Sequence, residues 1–457
     1  MKSTLTSLTL AFTVSGAPLA FAQDKKAEPE PSYTHITNVT IFDGLNEETV
    51  EGSVLIENNL IKALGADVKT PEGATLIDGD GKFLMPGLID THAHPCIPLQ
   101  LDTLTLDVDW MNWGATAAGV TTEYLFRGWT SVRDAGGPAM GLQRSIDAGN
   151  LVGPRLYPSG ATISQTSGHG DHRRYNIPHP NFPNQGPIGI FQSPYGLELL
   201  CDGVPEVLRG VREVLRTGAT QIKLHAGGGA STSYDPLYTV QYLPAELEAA
   251  VKAAKDCDTY VMVHAYNDSS IIRALDAGVL SIEHGQLMTE KSMKKLIEKD
   301  AWISPYYTFM DTPLEDLVAY VGEENAGKIT QIFEGAERQI ALLKKYKYRK
   351  VALGADVIGP PENHRRNNIE LKVRARYWSN FEVLLQATSI NAELLKECGK
   401  RDPYPHPLGE ITVGAYADIL VVDGNPLKDM TLLSDRYKES LVLIMKDGKI
   451  YKNTLAK

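Results

Sequence analysis

The sequence predicts an α/β protein: a (β/α)8 TIM-like barrel with a small β-sandwich domain built from both termini. Three observations predict it. The middle of the chain alternates short apolar strands with longer amphipathic stretches, the pattern of βα units. Both ends instead alternate short β-rich runs with Asp-Gly and Asn-Asn turns. Polar, metal-binding residue types interrupt the apolar runs where those strands end, and the C-terminal ends of strands carry the chemistry in such barrels.

The chain has 457 residues, enough to bury a large core; 43% of them are hydrophobic and 22% charged, as in soluble globular proteins. The formal net charge of −11 and the lack of a basic stretch argue against a nucleic-acid partner. At the N-terminus, Lys2 precedes a mostly apolar run from Leu5 to Leu19, and Ala20-Phe21-Ala22 is a small-x-small site. This is the pattern of a cleavable signal peptide over 1–22, too short to span a bilayer, so a secreted or periplasmic protein with no membrane span in the mature chain is expected. Residues 23–33 are charged and Pro-rich, a disordered lead-in. Cys96, Cys201, Cys257 and Cys398 are scattered, which suits free thiols or one incidental bridge.

Residues 34–82 hold three predicted strands, Ile36–Phe42, Ser53–Glu57 and Leu60–Leu64. Residues 404–457 hold three more, Ala417–Val422, Leu441–Met445 and Lys449–Tyr451, so the β-domain takes strands from both ends. Between them, 83–403 holds eight predicted strands: Phe83–Thr91, Trp129–Asp134, Arg155–Thr162, Gln221–Ala226, Tyr260–Tyr266, Leu280–His284, Ala301–Tyr307 and Lys350–Asp356. Amphipathic stretches at Val207–Arg216, Ala245–Ala254, Ile271–Ala277 and Lys291–Glu298 read as the helices. The segment Ser164–Val204 is long and rich in Gly, Pro and His, as functional loops are.

The first barrel strand ends in His92 and His94, which share one side of a strand. Lys223 and His264 sit inside the fourth and fifth, His284 ends the sixth, and Asp356 ends the eighth. Each has a bland reading alone: Lys223 paired with an acid, His264 and His284 as satisfied core histidines, Asp356 as a cap or turn residue. Their recurrence at equivalent strand positions argues for one site. His225 shares the side of Lys223 and is expected to support the site rather than to bind metal.

The order His-x-His, Lys, His, His, Asp, with the lead-in Pro86-Gly87-Leu88-Ile89-Asp90, resembles the amidohydrolase superfamily over most of the mature chain. Ser131–Gly136, Gly160–His169 and Ile222–Gly228 resemble the branch of prolidase-like Xaa-Pro dipeptidases and ochratoxinase. The resemblance implies two divalent metal ions, usually Zn2+. His92, His94 and Asp356 would bind one ion, and His264 and His284 the other. Lys223, carrying a CO2-derived carbamate, would bridge them, as would a hydroxide. Burial favours the neutral amine that adds CO2. Asp356 would move the proton from the attacking hydroxide to the leaving amine.

Two further residues are substrate candidates. His169, in Ser167–Arg174, would polarise the substrate carbonyl or bind its carboxylate, and a hydrogen-bonded loop residue is the alternative. Tyr234 would bind a free α-carboxylate, with simple packing as its alternative. The Pro360–Arg366 loop after Asp356 is a rim candidate. The expected activity is hydrolysis of the amide to a C-terminal amino acid, in a dipeptide, N-acyl amino acid or ochratoxin-like amide. A lactonase or cyclic amide hydrolase of the same superfamily, or a non-catalytic binding protein, is the rival. The resemblance also allows a homo-oligomer.

Overall fold

The computed structural model describes residues 31–100, 104, 109–173, 178–179, 196–230, 232 and 234–455. The expected leader at 1–22, the lead-in up to residue 30 and much of the long loop therefore lie outside the described residues.

The two ends of the chain meet in one sheet. Its N-terminal strands are β1 (Tyr33–Ile41), β2 (Val50–Glu57), β3 (Leu60–Gly65) and β4 (Thr75–Pro86). The chain then crosses the central layer before Ile419–Val422, Leu441–Lys446 and Lys449–Asn453 return as the C-terminal strands. Ile419–Val422 pairs antiparallel with β4, with Leu84 opposite Val421. Where a two-sheet sandwich is expected, the hydrogen bonds join all seven strands into one sheet. The reason is that β4 continues past Phe83 and gives the C-terminal strands an edge to pair with. Buried aliphatics such as Ile36, Val54, Ile61, Ile419 and Leu443 form its core. The last hairpin turns through Asp447 and Gly448, both at positive φ, where glycine removes the steric cost.

The central layer is parallel. Strands β5 (Leu88–Ala93), β6 (Trp129–Asp134) and β7 (Arg155–Tyr157) form one sheet. Strands β8 (Thr162–Ser164), β9 (Glu198–Leu200), β10 (Ile222–His225), β11 (Val261–Asn267), β12 (Ser281–Leu287) and β13 (Trp302–Ser304) form a second. Segment 350–356 bonds to both: Ala352 N–H donates to Ile303 O, and Thr91 N–H to Leu353 O.

The strands differ from the sequence expectations in instructive places. The first expected strand, Phe83–Thr91, is two strands broken at Gly87, where a Cβ would come within 2.0 Å of the Thr130 hydroxyl. Pro86 has no N–H to continue a ladder. The third, Arg155–Thr162, breaks at Pro158 and at Gly160, whose φ is +70°. The seventh, Ala301–Tyr307, stops before Pro305. The eighth is reduced to one bridge at Val351: Leu353 N–H donates to the Asn391 side chain instead of a strand, while Leu353 O is shared between Thr91 N–H and the Asn391 amide.

The helices form where the amphipathic pattern places them. Gly203–Thr217 buries Val207, Val211 and Val214 against the parallel layer and stops at Gly218 in the left-handed region. Asp268–Asp276 is capped by the Asn267 side chain. Arg155 of β7 joins the two layers: it bonds Asp418 at 3.1 Å and Asp447 at 2.7 Å, and stacks on Tyr416 at 3.7 Å. All four cysteines are free.

Candidate metal centre

His92 and His94 end β5, Lys223 lies on β10, His264 on β11 and His284 on β12, while Asp356 closes segment 350–356. All six side chains line one cavity of about 230 Å3. Asp356 Oδ1 lies 3.1 Å from His94 Nε2 and 3.4 Å from His92 Nε2, and its Oδ2 lies 3.5 Å from His284 Nδ1. Lys223 Nζ is 3.3 Å from His92 Nε2. The rings of His264 and His284 are 4.3 Å apart. Among the described residues, His92, His284 and Asp356 bring donor atoms all within 4.8 Å of one another, a trio that mixes the two ligand sets expected from sequence.

Hydrogen bonds fix how these rings face. His92 Nδ1–H donates to Glu283 at 2.7 Å, which leaves the Nε2 lone pair for the cavity. His264 Nε2 lies 3.3 Å from Gly228 O, which leaves Nδ1. Nδ1 of His94 and of His284 are buried without a hydrogen-bond partner. Burial, then the charge of Lys223, holds His92 well below the usual imidazole range. Burial does the same for His264 and His284. Neutral imidazoles with lone pairs turned to shared space are the form a metal needs.

Lys223 is 2% exposed. Among the described residues no carboxylate comes within ion-pair distance of its amine, so the paired structural lysine is not what is found. Burial pulls its amine down to about 8. Burial raises the Asp356 carboxyl, but the imidazoles of His92 and His94 outweigh it and leave the group below its ordinary value. The backbone is strained at two of these residues: φ is +76° at His284 and +50° at Asp356. Such positions cost roughly 1–3 kcal/mol each and cluster at functional sites.

His169 also reaches the cavity and stacks on His264 at 4.0 Å. Its Nδ1–H donates to Asp235 at 2.8 Å, which directs Nε2 away from that carboxylate. His225 packs beside it at 5.1 Å. Tyr234 is placed differently: it is 57% exposed and not part of the cavity wall. The chain turns at Asp235, which points inward and leaves its neighbour outside.

Sequence reasoning missed several residues at the site. Tyr266 stacks on His284 at 5.1 Å and bonds Tyr306 through the two hydroxyls at 3.2 Å. It lies two residues after His264 on one strand, a parity that could have revealed it. Glu198 lies 3.4 Å from His172; burial opposes the charge on that imidazole, but the carboxylate lifts it to about 9. Glu283 and Arg133 form a buried pair at 2.8 Å behind His92. A charge inside an apolar strand was the available signal for both.

A sequence model of the amidohydrolase family matches residues 83–452. The chain belongs to the amidohydrolase family. It is 27% identical to ochratoxinase of Aspergillus niger over 470 aligned positions, covering 95% of this chain and 89% of that protein. The crystal structure of A. niger ochratoxinase superposes with a TM-score of 0.79 at 26% identity, over 93% of this chain and 96% of that one. A prolidase solved with N-methylphosphonate-L-proline is 31% identical with a TM-score of 0.83, over 93% of this chain and all of that chain. A Xaa-Pro dipeptidase with bound methionine gives 0.76 at 25% identity, over 92% and 100%. Among the described residues no helix is long and apolar enough to cross a membrane.

Proposed function

We propose that this protein is an exported, binuclear metal-dependent amidohydrolase that cleaves the amide to a C-terminal amino acid. The observation that carries the reading is the convergence of His92, His94, Lys223, His264, His284 and Asp356 on one buried cavity. The imidazole nitrogens left without hydrogen bonds and the buried lysine amine outside any ion pair among the described residues fit a pair of divalent ions, with zinc suited to this donor set. His92, His94 and Asp356 would hold one ion, His264 and His284 the other, and carbamylated Lys223 both. Bound there, the ions supply Lewis acidity and bring the pKa of a coordinated water near neutral.

The chain's own residues do the rest. Asp356 stays ionised, so it can accept the proton of the attacking water and return it to the leaving amine. His169 is held by Asp235 so that its ring faces the substrate carbonyl and positions it. Tyr266 and Tyr306 wall the site against bulk water. In this reading the parallel strands and segment 350–356 close as a (β/α)8 barrel over 83–403, with 34–82 and 404–457 as the β-domain. The apolar run before Ala22 serves as the export signal.

The similarity to a prolidase, a Xaa-Pro dipeptidase and an ochratoxinase favours an amide over a lactone. The test is Lys223→Ala. It should lose bound metal and most amide hydrolysis; unchanged turnover would sink the carbamate assignment.

A further inference from the structure

Beyond Asp356 a second chamber of about 370 Å3 adjoins the metal cavity, sharing Tyr306, Phe309, Leu317, Asp356 and Ile358 with it. The loop Pro360–Arg366 forms part of its wall, through Asn363 and Arg366. Asp356 therefore stands between two spaces, as a group serving a scissile bond should when acyl and leaving portions lie on either side.

The basic side chains facing these spaces are not equivalent. His169 is matched by Asp235 at 2.8 Å and His172 by Glu198 at 3.4 Å. Lys223 sits among the metal donors. Arg366 is different: among the described residues no carboxylate lies within ion-pair distance of it, and its side chain donates to the Thr312 hydroxyl. Its neighbour Arg365 pairs with Glu123 at 3.0 Å instead. Asp316 also lines the chamber, but it is exposed, where solvent and salt screen its charge. A half-buried guanidinium with donors to spare in an otherwise largely apolar chamber is the fork geometry that recognises a carboxylate.

We propose that Arg366 anchors the free α-carboxylate of the substrate, placing the C-terminal amino acid in the second chamber and the acyl portion on the His169 side. Thr312 holds the guanidinium in place. Arg366 would thus be the side chain that makes the leaving-side carboxylate a requirement for tight binding. This rests on the amide-hydrolase reading of the metal cavity.

The experiment compares wild type with Arg366→Gln and Arg366→Lys on N-acetyl-L-amino acids and on the same compounds with the carboxylate converted to a carboxamide. Loss of one charge-assisted anchor should lower kcat/KM on the acids roughly 10- to 100-fold, mostly through KM, while the carboxamides change less than about threefold. Arg366→Lys should recover part of the loss. Calorimetric binding of an N-acetyl-L-amino acid to both proteins provides a second readout that needs no turnover. Equal losses on acids and carboxamides, or unchanged affinity for the acid in Arg366→Gln, would overturn the anchor. Wild-type binding without turnover, weakened by Arg366→Gln, would sink amide hydrolysis and leave the anchor standing.

Discussion

His92 Nδ1 lies 2.7 Å from Glu283 Oε2, with both side chains sealed from solvent. Glu283 is held in turn by the Ser281 hydroxyl at 2.6 Å and by Arg133, which also donates to Tyr260 OH at 3.0 Å. The carboxylate thus sets the tautomer and the aim of His92 from behind the cavity. Glu283→Gln should weaken metal binding about 10- to 100-fold, read by competition with a chelator of known affinity. It should also destabilise the fold by about 3–5 kcal/mol, because Arg133 is left as an uncompensated buried charge. Pairing it with Arg133→Met should restore part of the stability but not the metal affinity. Recovery of both would make Glu283 a purely structural partner.

Gly229 faces His169 so closely that a Cβ would fall 2.0 Å from His169 Cε1. Gly229→Ala should therefore turn the imidazole off its stack with His264 and away from Asp235. The expected outcome is a fall in kcat/KM of at least about tenfold with metal content unchanged, alongside an overpacking cost of about 1–3 kcal/mol. Metal analysis beside steady-state kinetics checks it. Unchanged kinetics would remove His169 from the reaction.

Lys223 gives a pH dependence with a definite sign. Its folded-state value, about 8, lies below its unfolded value, so folding disfavours the ammonium form. The penalty is full below pH 8, shrinks as pH rises, and is gone above about pH 10.5. For metal-free protein it amounts to about 3 kcal/mol at pH 7. Lys223→Met should therefore be more stable than wild type by up to that amount at pH 7, with the gap closing toward pH 10.5. Chemical denaturation of both metal-free proteins at the two pH values measures it. A gap independent of pH would mean that the amine is not desolvated.

Much of this was legible in the sequence. Strand ends carrying His92, His94, Lys223, His264, His284 and Asp356 stood out because a polar group breaks an apolar run at a cost that needs a reason. The helices Gly203–Thr217 and Pro244–Lys255 follow their amphipathic pattern to within a few residues. What escaped depended on contacts distant in sequence. The break at Gly87 comes from a close approach to Thr130, and in the eighth segment the Leu353 N–H goes to the Asn391 side chain rather than to a strand. Tyr234 and Asp235 are neighbours in a loop without periodicity, and only the fold decides which of them faces His169. Glu283 adjoins His284, yet its partner His92 lies 191 positions earlier.

The most direct test of the central claim is product release by purified protein supplied with zinc and bicarbonate, offered dipeptides, N-acyl amino acids, ochratoxin A and several lactones. The account predicts free C-terminal amino acid from some of the amides and nothing from the lactones. Lactone turnover with every amide left intact would contradict it.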